Sequence, residues 1–285
     1  MPGSAFDRTP EQNALVEGWS PPEIDVTRAH TARMYDYYLG GKTNFPADRA
    51  AAERALAAFP HGRVTARENR AFLLRLVRHL AGLGVTQFLD IGTGIPIEGR
   101  NTHDVAQDVT PDARVVYVDN DPIVLTHARA LLAGNASGAT AYIDADVHNP
   151  ESILEHPTLA ATLDMDRPLA VLLIAVLHFV PDEDKPLDIL ARLTDRLPSG
   201  SYLGLSHVTA DFDPVGWHGM IDTYRKSGIP AQTRSRAELG GLVPEGWETV
   251  DPGVEVVSLW RPDDDDTERP DPAQVSCYGV LARKP

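Results

Sequence analysis

At 285 residues, with 42% apolar side chains and a formal charge of −15, the chain has room for one large domain with a sizeable core and is too acidic to bind nucleic acid over most of its surface. No run of about 18 apolar residues occurs and the start lacks the charged-then-apolar layout of a signal peptide, so no membrane span is expected and the cytoplasm is the expected compartment. Cys277 is the one cysteine, which excludes an intramolecular disulfide and a Cys-rich metal site, and its apolar strand pattern favours burial over reactivity.

Residues 1–24 mix Pro, Gly, Glu and Ser without periodicity and read as an irregular arm. Asp25 or Thr27 is placed to cap a helix over 28–39, which Gly40 and Gly41 end. Met34, Tyr35, Tyr38 and Leu39 share one face of it, a pattern that suits core packing as well as ligand contact. Lys42 lies on the glycine-flanked connection that follows and faces either a ligand or water. Gly41-Lys42-Thr43 is not the tail of a phosphate loop, because that motif needs a glycine where Asp36 stands. A second helix is predicted over 47–59, broken by Pro60-His61-Gly62. Thr65 and Glu68 have capping-box spacing, and the helix they open carries Phe72, Leu73, Leu76, Val77, Leu80 and Leu83 on one face. That pattern leaves Asn69 and Arg70 exposed in the first turn, solvated or within reach of a ligand carboxylate.

Val85 to Pro96 reads as a buried strand breaking into a glycine loop, with Asp90 at the strand's carboxyl end and Gly92 and Gly94 free to adopt angles closed to other residues. A second strand over 114–118 ends in Asp119-Asn120-Asp121, and a carboxylate at that tip suits the two hydroxyls of a ribose. Aspartates and glycines also make ordinary turns; the glycine loop paired with the spaced acid favours a nucleoside. After a helix from about 123 to 132, a short strand over 141–143 leads to Asp144 and Asp146, with the register between them open and a plain acidic turn an equal reading.

Pro168 to Leu177 is continuously apolar, as in a central parallel strand, and delivers His178 beside the glycine loop as an acid, a base or a buried hydrogen-bonding group. A further helix runs from 181–184 to Leu197, and a fifth strand over 201–208 brings His207 to the same edge. Gly204-Leu205-Ser206 is not a hydrolase elbow, because Val208 stands where the second glycine belongs. Residues 209–232, with Trp217, Met220 and Tyr224, read as an insertion of helical character over the site. Ser235 and Glu238 form a second capping box, and two last strands, within 248–260 and 275–282, flank the acidic turn Asp263 to Asp266.

The strand-loop Phe88 to Gly94, the acids Asp119 and Asp146, the run Val176 to Pro181 and the closing strand pair resemble class I S-adenosylmethionine-dependent methyltransferases. From about Ile24 onward the chain is similar, more narrowly, to a bacterial family of S-adenosyl methyltransferases of unassigned substrate, on Tyr35 to Phe45, Ala66 to Arg70 and Asn101 to Gln107. The resemblance implies a Rossmann-like α/β fold: a seven-stranded, mostly parallel sheet with helices on both faces, the last strand antiparallel, and S-adenosyl-L-methionine across the carboxyl ends of the first three strands. It implies Asp90, Gly92 and Gly94 along the methionine part, Asp119 at the ribose hydroxyls, Asn120 beside the adenine, Asp146 at the adenine amino group and Val147 on the ring face. Asn69, Arg70 and Ala175 complete the expected cofactor set.

Ala175-Val176-Leu177-His178 stands where amino-methylating nucleic-acid enzymes carry Asn-Pro-Pro-aromatic, so a small-molecule acceptor is expected. His178 and His207 are the candidate catalytic groups and Tyr35, Tyr38 and Lys42 the candidate acceptor contacts, with no metal. Pro96 takes the third position of the glycine series and counts against a dinucleotide fold. The alternatives are an NAD-dependent oxidoreductase and a non-catalytic module that binds the cofactor. Residues 1–62 are expected to form an arm and a helical cap over the acceptor pocket, and 63–285 the cofactor-binding domain, because the first segment exceeds what a connection needs and carries aromatics and a Gly-Gly hinge.

Overall fold

The computed structural model describes residues 24–131, 138–263 and 269–285. Their strands are β1 (Gln87–Ile91), β2 (Arg114–Asp119), β3 (Ala139–Asp144), β4 (Ala170–Leu173), β5 (Tyr202–Val208), β6 (Glu248–Thr249), β7 (Glu255–Val256) and β8 (Cys277–Arg283). Helices α1 (Thr31–Tyr38), α2 (Pro46–Ala58) and α3 (Gly62–Gly82) precede the sheet. The others are α4 (Thr102–Val109), α5 (Pro122–Leu131), α6 (Pro150–Leu154), α7 (Pro157–Thr162), α8 (Pro186–Thr194), α9 (Pro214–Lys226), α10 (Arg236–Gly240) and α11 (Pro272–Val275). The sheet order is β3-β2-β1-β4-β5-β8-β6, with β7 also on β8. The first five strands are mutually parallel and β8 runs antiparallel to β5, to β6 and to β7. Chain order reverses between β1 and β4, the switch point at whose carboxyl side open α/β sheets bind ligands.

The Rossmann-like reading and the antiparallel closing strand hold, while the strand count rises to eight. The single strand expected within 248–260 is two two-residue ladders, β6 and β7, separated by a turn around Pro252 and Gly253. The fourth strand is shorter than its apolar run: β4 stops at Leu173, Ala175 takes a left-handed φ of 62°, and Leu177–Phe179 forms a 3-10 turn. Apolarity there reflects burial rather than strand. Helix α8 begins only at Pro186, after a separate 3-10 turn Asp182–Asp184.

Two helix starts also differ. His30, not Asp25 or Thr27, stands at the N-cap of α1, while Asp25 accepts from the Thr27 backbone at 2.9 Å in a turn of its own. Helix α3 begins at Gly62, which puts Thr65 and Glu68 inside it; Asn69, three and four residues before Phe72 and Leu73, and Arg70, three before Leu73, lie on its buried side, 2% and 9% exposed. The expected exposure of that pair is therefore corrected. The second capping box is present, Ser235 donating and accepting with Glu238 ahead of α10.

A second apolar cluster stands apart from the sheet core. It joins Met34 and Tyr38 of α1, Ala51, Ala52 and Ala55 of α2, Ala66 of α3 and Trp217, Met220, Ile221 and Tyr224 of α9. Helices α2 and α9 approach closely where Ala58 meets Gly219: a Cβ on Gly219 would lie 3.0 Å from that of Ala58. The segment expected to be helical over 209–232 thus carries helix α9, which packs with α1 and α2 in this cluster. Among the described residues no helix is long and apolar enough to cross a membrane. The arm 1–23 and the acidic turn from 264 lie outside the described residues, and Asp263 pairs with Arg78 at 3.1 Å.

Candidate functional site

The carboxyl ends of β1, β2 and β3 open on a cavity of ≈ 140 Å³. Asp90, at the end of β1, is 3% exposed and accepts the Thr102 hydroxyl of α4 at 2.6 Å. Burial pushes its carboxyl up to about 6, against the Thr102 hydrogen bond and the Arg70 charge. Gly92 and Gly94 have φ of 70° and 68°, the left-handed region that favours glycine. The two differ in what a side chain would meet. A Cβ on Gly92 would lie 2.3 Å from Val176 Cγ2, whereas one on Gly94 would meet nothing within 4 Å.

Asp119 ends β2 and fastens the glycine loop from below. Its Oδ2 accepts the Gly94 N–H at 2.8 Å and its Oδ1 the Asp121 N–H at 2.9 Å, while burial raises its pKa. Asn120 donates to Asp146 Oδ2 at 2.9 Å across the gap between β2 and β3. Burial works to raise the Asp146 pKa, but donation by the His148 backbone and ring and by Asn120 outweighs it and leaves it below the usual range. Val147 supplies an apolar wall beside it. From α3, Arg70 reaches Asn101 Oδ1 at 3.2 Å, but its buried Nε has no partner among the described residues.

Helix α1 leans on this mouth through ionic contacts. His30 lies 3.0 Å from Asp121, and Arg33 lies 3.2 Å from Asp121 and 3.5 Å from Asp48. Asp48 also accepts the His30 and Phe45 backbone N–H groups at 2.9 and 2.8 Å. Thr31 and Ala32 thereby line the cavity, which nothing in the sequence singled out.

A second, smaller cavity of ≈ 50 Å³ lies among α1, α3 and α9. Tyr35, Asn69, Ala175 and Phe179 line both spaces. Tyr35 accepts from Asn69 Nδ2 at 3.0 Å and donates to the Ala66 carbonyl at 3.0 Å. Ala175, held left-handed with its N–H on Ser206 Oγ at 2.9 Å, stores backbone strain of about 1–2 kcal/mol at this junction. Tyr38 and His178 line the second cavity alone, with Trp217, Met220, Ile221 and Tyr224 of α9.

Ten predicted cofactor residues, Asn69, Arg70, Asp90, Gly92, Gly94, Asp119, Asn120, Asp146, Val147 and Ala175, therefore meet on one cavity. Two predicted contacts do not reach either space. Lys42 is exposed on its connection, and His207, though fully buried, lines neither cavity. His207 donates from Nδ1 to the Val208 carbonyl at 2.8 Å and accepts at Nε2 from Arg234 at 2.8 Å. Arg234 also donates to the carbonyls of Leu177 and Val180 at 2.9 and 3.0 Å, so the pair pins the turn that carries His178. Burial pulls the His207 pKa down to about 4.

A family model described as S-adenosyl methyltransferase matches residues 17–285. The chain belongs to the S-adenosyl methyltransferase family. A DUF574 family protein from Streptomyces avermitilis is 46% identical over 92% of this chain and 100% of its own, with a TM-score of 0.89. A candidate methyltransferase from Thermobifida fusca is 40% identical over 94% of this chain and 99% of its own, with a TM-score of 0.84. No protein of curated function matches the sequence.

The methyltransferase uses S-adenosyl-L-methionine, and the cavity at its strand tips suits that molecule on three observations. Gly94 leaves its Cβ position open, Arg70 keeps an unpartnered buried N–H, and Asp119 stands at the tip of β2. The nicotinamide alternative and the non-catalytic one find no support in the family match or in these relatives.

Proposed function

We propose that the methyltransferase joins its donor and a small-molecule acceptor where the two cavities meet. The observation that carries this is the shared wall of Tyr35, Asn69, Ala175 and Phe179, which leaves donor and acceptor spaces adjacent. S-adenosyl-L-methionine, when bound, supplies an electrophilic methyl group on a positively charged sulfur. Asp90 holds the amino group of the methionine part and Arg70 Nε its carboxylate, each a charge-assisted contact in a site shielded from water. Asp119 takes the ribose hydroxyls with the lone pairs that the Gly94 and Asp121 amides leave free. Asn120, Asp146 and Val147 frame the adenine.

Residues 24–62 act as the cap, with α9 as its other half; the support is the apolar cluster they share and the contacts of His30 and Arg33 with Asp121. A cap excludes water from a displacement in which the protein's contribution is to align donor and nucleophile. The charge of −15 and the buried Cys277, whose thiol burial pushes up to about 12, agree with a small, non-nucleic acceptor and a reducing bacterial cytoplasm.

The test is calorimetric titration of S-adenosylhomocysteine into wild type and Asp119→Ala, with a crystal grown in its presence. Binding at wild type, loss in the variant and ligand density on Asp119 are expected. Unchanged affinity in a folded Asp119→Ala protein removes that residue from the ribose site.

A further inference from the structure

The cavity under the cap carries a statement about the acceptor. None of its lining side chains is Asp, Glu, Lys or Arg. Its titratable groups are all uncharged near neutrality: burial pushes Tyr35, Tyr224 and Cys277 up to about 12 and raises Tyr38 well above the ordinary phenol range, and pulls His178 well below the ordinary imidazole range. Most of its polar atoms are already spent on each other. The Tyr38 and Tyr224 hydroxyls pair at 3.0 Å, and Asn69 is held by Tyr35. Two are not: His178 Nδ1 and Trp217 Nε1 are buried without a partner among the described residues. An unpaired buried donor or acceptor is costly.

We propose that this cavity receives an uncharged acceptor, a single aromatic ring bearing an O–H or N–H group, and that the imidazole of His178 takes the proton of that group as it is methylated. The inference rests on the methyl-transfer reading above. A carboxylate, phosphate or ammonium entering this space would shed its hydration and find no opposite charge on the lining side chains, which disfavours it against a neutral ring of the same size. Phe179, Trp217 and Tyr224 supply the ring-shaped walls.

The step balances. The acceptor's O–H or N–H bond breaks with its proton passing to the free imidazole nitrogen, its lone pair forms the new bond to the methyl carbon, and the carbon–sulfur bond breaks with its electron pair kept by sulfur. One positive charge leaves the sulfur and one appears on the imidazolium, so the number of charges buried at the junction does not change. A weakly basic imidazole suffices, because an oxygen or nitrogen gaining a methyl group becomes strongly acidic, and at neutral pH such an imidazole is wholly in its accepting form.

The full-length protein saturated with S-adenosylhomocysteine is titrated with phenol, benzoate and benzylammonium by calorimetry, and with phenol while the 15N resonances of its histidines are recorded. Phenol is expected to bind at least about tenfold more tightly than either charged ring. One imidazole 15N resonance, identified by its loss in His178→Phe, is expected to shift as phenol is added. Charged rings that bind as well as phenol, phenol that does not bind, or phenol that binds without moving the His178 resonance each overturn the proposal. Failure of S-adenosylhomocysteine to bind, seen in its own titration beforehand, overturns instead the reading on which it rests.

Discussion

The two cavities share a wall and differ in how they are made. The donor cavity is backbone architecture: Asp90 and Asp119 end paired strands, the glycine loop is bonded to Asp119, and little there can shift without breaking a ladder. The acceptor cavity is side-chain architecture, enclosed by α1, α9 and a 3-10 turn, and neutral throughout. The proposed donor site thus rests on the sheet, while the proposed acceptor pocket can be reshaped by substitutions on α1, α3 and α9 that leave the sheet alone.

The sharpest way to break the comparison is to damage the backbone side. Gly92→Val places a branched side chain on Val176 at a φ of 70°, and overpacking together with left-handed strain is expected to cost about 4 kcal/mol of stability, with S-adenosylhomocysteine binding lost. Gly94→Ala meets no neighbour in the protein, so it is expected to cost about 1–2 kcal/mol from φ alone and to weaken the ligand directly. Thermal melts and calorimetry on the pair check this; equal melting of the two would mean that Val176 gives way.

On the acceptor side the largest expected effect is acid sensitivity. The folded His207 imidazole titrates at about 4 against 6.5 when unfolded, so the unfolded chain binds the extra proton and stability falls by up to about 3 kcal/mol as pH drops from 6.5 to 4. Arg234 and His178 face it, and His178, also lowered, adds in the same direction. Asp90, raised to about 6, works in the opposite sense. Denaturant melts across this range are therefore compared between wild type and His207→Gln. A variant whose stability keeps the same pH slope would remove His207 as the source.

Back at the donor cavity, Asp119→Ala is expected to weaken S-adenosylmethionine binding by about 1–3 kcal/mol, the scale of losing hydrogen bonds to a charged group. Asp90 gives a finer test. With its carboxyl at about 6, a bound ammonium favours the ionised form, so S-adenosylhomocysteine affinity should fall by up to about tenfold per pH unit below 6, roughly 1.4 kcal/mol. Calorimetry from about pH 5 to 7.5 reads this, and a flat profile in wild type takes Asp90 off the amino group.

The same contrast explains what the sequence disclosed. Donor residues lie at strand ends within short stretches, where an acid after an apolar run or a glycine pair has few other meanings, and ten of them fall on one cavity. Helices ahead of α3 were legible as surplus chain and aromatics, but Trp217, Met220 and Tyr224 sit at ordinary core spacing, and only folding shows which of them border space. Asn69 and Arg70 were misplaced because the first turn was read as solvent-facing, although Asn69 stands three and four residues before Phe72 and Leu73, and Arg70 three before Leu73, on the same buried face. His207 looked equivalent to His178 as a strand-edge imidazole. Its partner Arg234 lies 27 residues away with nothing local to mark it.

The smallest expected effect concerns the tie between the two regions. His30 is 28% exposed on its side chain and lies 3.0 Å from the buried Asp121, which joins α1 to the loop after β2. Burial lowers the His30 pKa, but the Asp121 hydrogen bond and charge outweigh it and leave the pKa raised, so its contribution is complete below the unfolded value of 6.5 and is lost as pH rises through the folded one. Asp121 is held below 3.8 by His30 and Arg33 against burial, so its own contribution is lost only as pH falls through that lowered value. The tie is therefore strongest between the two, on the mildly acidic side of neutrality. His30→Ala is expected to lower stability by about 1 kcal/mol or less near pH 6 and by less near pH 8, because solvent screens the exposed part and Arg33 remains 3.2 Å from Asp121. Lys42→Ala, exposed and on neither cavity, provides the baseline and should stay within about 0.5 kcal/mol at both. Urea melts at the two pH values decide it: an equal loss at both would mean that His30 holds α1 by packing, and that the cap is tied to the donor site by Arg33 alone.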